Sequence, residues 1–207
     1  MSLRYLALLI IATLLVVFAI MSLAQSRDDS AQERLERTEH LADRHKQARL
    51  EFQLKSAMSA APAGVSKDAT IVDFSMRTDG EVLQKGTNQW TCMPEDVRPR
   101  ESSSPLDDGP ICMDKNATQW RKAWKSHIVP TISGPGLIYV LDGGFTASYA
   151  DPFATARSGA RSVHEPSHVM LVGVKFDHGV YSSSPKPNEP WIMWAGTPYE
   201  CLIIPSK

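Results

Sequence analysis

Residues 191–205 read WIMWAGTPYECLIIP, two short apolar segments, Trp191–Trp194 and Cys201–Ile204, parted by Gly, Thr and Pro. Short β-branched or aromatic segments bounded by turn residues read as strands. Alternation along WIMW sets Trp191 and Met193 on one face and Ile192 and Trp194 on the other. Both faces are apolar, which predicts an internal strand. Moving toward the N-terminus, the same pattern recurs at Val169–Phe176 (VMLVGVKF), Leu137–Leu141 (LIYVL), Glu81–Gln84 and Ala69–Ser75 (ATIVDFS). Asp79-Gly80 is a hairpin-turn signal between the first two strands in chain order. One helix interrupts the strands. From Asp114 to His127, the residues Ala117, Trp120, Ala123, Trp124 and His127 recur at helical spacing, giving an aromatic face to lay on a sheet. Long loops at 94–110 and 182–190 hold four and three prolines. The expected fold is α+β over residues 69–207, with a mostly antiparallel sheet, one packed Trp-rich helix and long Pro-rich loops.

The chain ahead of that domain changes character twice. Residues 59–68, opening SAAPAG, read as a linker. Residues 25–58 form a charged helix. Seven acidic and seven basic side chains fall within 27–58, Gly and Pro are absent, and Glu33–Arg37 and Glu51–Lys55 are favourable four-residue pairs. Its leucines do not keep a heptad, so a solvated helix is expected, with a partner-binding stalk as the alternative. Residues 5–23 (YLALLIIATLLVVFAIMSL) carry no charge and follow Arg4, and Ser22-Leu23-Ala24 offers a small-x-small exit. Residues 1–24 therefore read as a signal peptide or, given the length of the run, an uncleaved membrane anchor. Either places the remainder outside the cytoplasm: periplasmic or secreted, or held at the inner membrane by residues 5–23. Across the whole chain 22 basic side chains face 23 acidic ones, a net charge of −1. That balance argues against a nucleic-acid partner.

Three cysteines are too few for a disulfide scaffold but enough for one staple. Cys92 and Cys112 bracket the 94–110 loop, and a disulfide closing it would contribute about 3 kcal/mol. Cys201 would then be a buried thiol. The competing reading makes Cys112 a nucleophile at a helix start with His168 as its base. That order resembles papain-like cell-wall hydrolases with a Cys–His pair, without their local motif around the Cys. A third reading collects His164, His168 and Asp151, with Asp142, into a loop metal site. Pro166 forbids the helix on which His164 and His168 would otherwise share a face. The expectation is no metal and no cofactor. Asp142-Gly-Gly-Phe145 lacks the spacing and Lys of a phosphate loop and reads as a turn with positive φ. Asp151-Pro152-Phe153 reads as a capped turn.

GTNQWTCMP (86–94), PICMD (110–114), the 142–155 run ending in DPFAT, SHVML (167–171) and WIMWAGTPYECLIIP (191–205) place Trp, Cys and Pro densely among turn residues. In that order they resemble a family of bacterial secreted or periplasmic proteins of uncharacterised activity, over about residues 55–205. Tyr149 stands where that pattern suggests Asn, and Cys201 where it suggests His. The resemblance implies export and brings no named reaction. Trp90, Trp194 and Tyr199, with Trp191 and Phe153, either line a ligand cleft or fill a core between long loops. The functional expectation is an exported cell-envelope protein, a non-catalytic binding or structural domain with a small-molecule or envelope partner. The alternative is an envelope hydrolase built on Cys112 and His168 or on a histidine metal site.

Overall fold

The computed structural model describes residues 3–73, 81–95, 109–154 and 163–206; in the first helix the side chains of residues 1–13, 19, 24, 26, 30 and 31 lie outside the description. The Asp79-Gly80 turn and most of the 94–110 loop also fall outside it. The chain divides into two compact units, Met1–Arg49 and Leu50–Lys207. The first belongs to helix α1 (Leu3–Ser59). Its described apolar side chains, among them Leu14, Val16, Phe18 and Leu23, are exposed, as are the charged ones after them. Among the described residues no helix is long and apolar enough to cross a membrane.

The second unit is α+β. Eight strands form one sheet in the order β2-β1-β3-β4-β5-β8-β10-β9. They are β1 (Thr70–Val72), β2 (Val82–Gln84), β3 (Thr91–Met93), β4 (Ile111–Met113), β5 (Gly136–Val140), β8 (His168–Val172), β9 (Trp191–Met193) and β10 (Cys201–Pro205). Every neighbouring pair is antiparallel except β1–β3. Two further strands, β6 (Gly144–Thr146) and β7 (Val163–Glu165), pair by themselves. β3, β4, β6 and β7 are three-residue strands, too short for a period-two signal to emerge from the sequence.

Helix α3 (Lys115–Lys125) occupies the position its periodicity predicts. Asp114 caps it, accepting from Ala117 N at 2.7 Å, while its other oxygen accepts from Leu137 N at 2.9 Å, so one carboxylate starts the helix and ties it to β5. Gly136 permits the close approach: a Cβ there would lie 2.4 Å from Ala117 N. On the α3 face of the sheet Trp120, Trp124 and Trp194 stack with centroids 5.3–6.4 Å apart, packed with Met113, Ile138, Met170 and Met193. The opposite face packs Ile71, Cys92 and Cys112 against Ala57, Ala60 and Ala61.

Residues 59–68 therefore do not behave as a linker. Ala60 and Ala61 are buried, Ala63–Ser66 form the short helix α2, Leu141 N donates to Ala60 O at 3.0 Å, and Asn88 Nδ2 donates to Val65 O at 2.8 Å. Alanines are small enough to let these segments sit directly on the sheet. For the same reason the compact unit starts at Leu50 and not at 69.

Strand β9 is an edge strand, correcting the internal placement read from WIMW. Its outer edge is covered by the Pro-rich loop, with Ile192 N donating to Ser182 O at 2.7 Å. The alternation also stops at Met193. Trp194 adopts φ 55°, a left-handed conformation rare for a bulky residue, and joins Trp191 and Met193 in the α3-face core. Its backbone N donates to Tyr149 O at 2.8 Å and its indole to Ser148 O at 3.0 Å, which holds the turn in place.

Candidate functional site

The 141–145 turn is where the site begins. Gly143 has φ 73°, as its sequence context predicts, and a Cβ there would lie 2.7 Å from Glu165 O. The tight turn lets β6 pair with β7, matching Gly144 with Glu165. Alternation on β7 then leaves His164 exposed and Glu165 buried. Pro166 interrupts the chain before β8 starts at His168.

The His168 ring folds back on this break, with Nδ1 2.7 Å from Pro166 O. A carbonyl oxygen only accepts, so Nδ1 carries the proton and Nε2 of the neutral ring is left as an acceptor. Glu165 Oε2 lies 4.0 Å from that Nε2, outside hydrogen-bond reach. Glu165 and His168 are 5% and 3% exposed, and among the described residues neither Glu165 Oε1 nor His168 Nε2 has a hydrogen-bond partner. Burial pushes the Glu165 carboxyl up to about 8 and lowers the His168 imidazole, the latter opposed by the Pro166 hydrogen bond. At neutral pH the pair is therefore a carboxylic acid beside a neutral imidazole rather than an ion pair. Burial, then the Glu165 charge, raises Tyr149, and Cys201 is raised well above its ordinary value by burial and by Glu165 and Glu200.

Two spaces meet at this pair. An inner cavity of about 20 Å³, bordered also by Trp120, Arg121 and Phe145, holds roughly one water-sized group. An open cleft of about 430 Å³ lies on the other side, walled by Tyr149, Trp191, Pro185, Pro187 and Pro205. Tyr149 and Trp191 meet edge to face at 4.9 Å. The volume falls within the range of small-molecule sites, about 300–1,000 Å³.

The candidates read from sequence separate on this frame. Cys92 and Cys112 form the expected disulfide, Cα atoms 4.0 Å apart, and Cys201 is free and buried. The Cys112–His168 nucleophile pair is overturned on two grounds. The thiol is oxidised, and the register Cys112↔Tyr139↔Val169 puts Cys112 on the opposite sheet face from His168. Trp90, Trp194 and Tyr199 do not share a cleft: Trp90 packs on Tyr139 at 5.4 Å on the disulfide face, while Trp194 and Tyr199 are buried in the α3-face core. The metal candidates disperse too. Asp151 accepts from Phe153 N at 2.9 Å in the capped turn, Asp142 accepts from Ser59 Oγ at 3.1 Å, and His164 meets Phe145 edge-on at 5.2 Å. Among the described residues no group of three or more His, Cys, Asp or Glu is placed to hold a metal ion.

Glu165 is the site residue that sequence reasoning passes over. Its exposure is decided by the β6–β7 pairing, and those strands give no periodic signal; the one hint is an acid next to Pro166 at the start of a strongly apolar strand. Comparison with family models, with curated proteins and with solved structures returned no match.

Proposed function

We propose that this chain is an exported cell-envelope protein whose α+β unit is a non-catalytic binding domain, with its ligand taken in the Tyr149–Trp191 cleft. The observation that carries the reading is the Cys92–Cys112 disulfide joined to a sequence with an uncharged apolar run at 5–23. Disulfides persist in oxidising compartments, and an apolar leader is the means of reaching one. The described apolar side chains of that run are exposed, which fits a segment destined for removal or for a membrane. A near-neutral chain fits a small-molecule or envelope partner rather than nucleic acid.

Expression of the full chain in a bacterium, followed by fractionation and thiol titration of denatured, unreduced protein, tests this. Recovery from the envelope or periplasm with one titratable thiol is the expected outcome. Cytosolic protein with three titratable thiols would overturn the reading.

A further inference from the structure

Glu165 and His168 line one cleft, and two of their buried polar atoms, Glu165 Oε1 and His168 Nε2, have no hydrogen-bond partner among the described residues. Leaving a buried polar group unsatisfied costs about 1–3 kcal/mol, so a native fold keeps such atoms where something else satisfies them. Among the described residues no charged group bonds to either atom. Lys186 at the cleft rim is exposed and bonded to Glu189 at 3.3 Å, and Arg121 borders the inner cavity.

The chemistry of the pair selects its complement. His168 donates through Nδ1 to Pro166 O, so Nε2 of this cleft-lining residue is left as an acceptor. Glu165, 95% removed from solvent and with no bonded countercharge among the described residues, sits there as a neutral acid that both donates and accepts. A hydroxyl can donate to Nε2 and accept from the Glu165 acid at once. An ammonium ion would need Glu165 ionised in a buried site, and a carboxylate would meet the imidazole lone pair. Proline rings and the Tyr149 and Trp191 side chains give the walls C–H and aromatic surface, against which the apolar face of a sugar ring packs.

We propose that this cleft binds a neutral, hydroxyl-bearing sugar ring, with one hydroxyl bridging His168 Nε2 and Glu165. The inference rests on the reading of the unit as a binding domain, and adds the class of ligand.

The test uses the full chain, in a detergent without sugar headgroups, titrated with glucose, N-acetylglucosamine, glucosamine and glucuronate by calorimetry and by the ring signals of isotope-labelled His168. The expected result is saturable binding of a neutral sugar that moves the His168 signals, with glucosamine and glucuronate at least tenfold weaker. Glu165→Gln, which keeps a donor and an acceptor, holds affinity within about threefold; Glu165→Leu loses at least tenfold. Absence of saturable neutral-sugar binding overturns the proposal, as does tighter binding of either charged sugar, or full affinity in a folded Glu165→Leu variant. Should Glu165→Leu not fold, unchanged His168 signals in the wild-type titration overturn it. Because none of these outcomes bears on compartment or thiol count, the ligand class can fail while the export reading stands.

Discussion

Cys92 and Cys112 stand directly opposite each other on the antiparallel strands β3 and β4, and their disulfide lies against Ala57 and the other alanines after it. The staple therefore does more than close a loop. It fixes the register of two three-residue strands, which have little hydrogen bonding of their own, and presents a flat surface to the end of α1.

Replacing both cysteines by alanine should lower stability by about 3 kcal/mol, the loop-closure contribution expected for a ring of this size. Urea unfolding of oxidised and double-variant protein measures it. In the native oxidised protein Cys201, fully buried, should resist a thiol reagent and react once urea is added. Rapid labelling of native protein would contradict the packing described.

Stability should depend on pH through the Glu165–His168 pair. The folded state holds the Glu165 proton up to about pH 8, whereas the unfolded chain releases it near 4.5, so this contribution is complete below 4.5 and is lost as pH rises through 8. His168 acts in the opposite sense: its lowered value makes the unfolded chain take up a proton below about 6.5 that the folded state refuses, which destabilises on acidification. Just below pH 6.5 the two slopes oppose each other. Between 6.5 and 8 Glu165 acts alone, with a slope of at most about 1.4 kcal/mol per pH unit. Urea midpoints should fall across that upper window, and Glu165→Gln should flatten the fall. A midpoint that rises from pH 6.5 to 8 would rule out a buried, protonated Glu165.

Trp194 joins the indole stack, the sheet edge and the 148–149 segment, so Trp194→Ala should cost about 3–5 kcal/mol, the range for removing a large buried aromatic. Near-ultraviolet circular dichroism should lose the signal of the coupled Trp120, Trp124 and Trp194 rings at the same time. Retention of that signal would mean the stack does not depend on Trp194.

Two glycine substitutions should differ in sign. Gly136→Ala forces a methyl to 2.4 Å from Ala117 N, where backbone must move, and should destabilise by about 1–3 kcal/mol. Gly64→Ala in α2 meets nothing within 4 Å and should stabilise by about 0.4–1 kcal/mol by restricting the unfolded chain. Thermal melting of the two variants decides it.

Much of the fold is legible before any coordinates. Period-two segments such as Leu137–Leu141, the helix after Asp114 with its tryptophan face, and the turns at Gly143 and Asp151 are all set by interactions a few residues apart. Long-range placement is not carried by that local signal. Sequence spacing puts Cys112 and His168 in the order of a catalytic pair, yet one step of strand alternation sends them to opposite faces. Trp90 and Trp194 read as one aromatic set and belong to separate layers.

What the sequence by itself determined is the α+β class, the helix with its tryptophan face and the apolar run at 5–23, because each follows from composition or from neighbours along the chain, while the staple between Cys92 and Cys112 was one of two readings it left open. Only the tertiary structure decided that residues 59–68 are packed and that Glu165 and His168 meet between a small cavity and a cleft, with Oε1 and Nε2 unpartnered among the described residues. Burial is a property of what the rest of the chain brings alongside. A glutamate beside a proline is an ordinary surface acid until β6, β8 and the Pro-rich loop close around it, and then burial makes the same side chain hold its proton between a small cavity and a cleft.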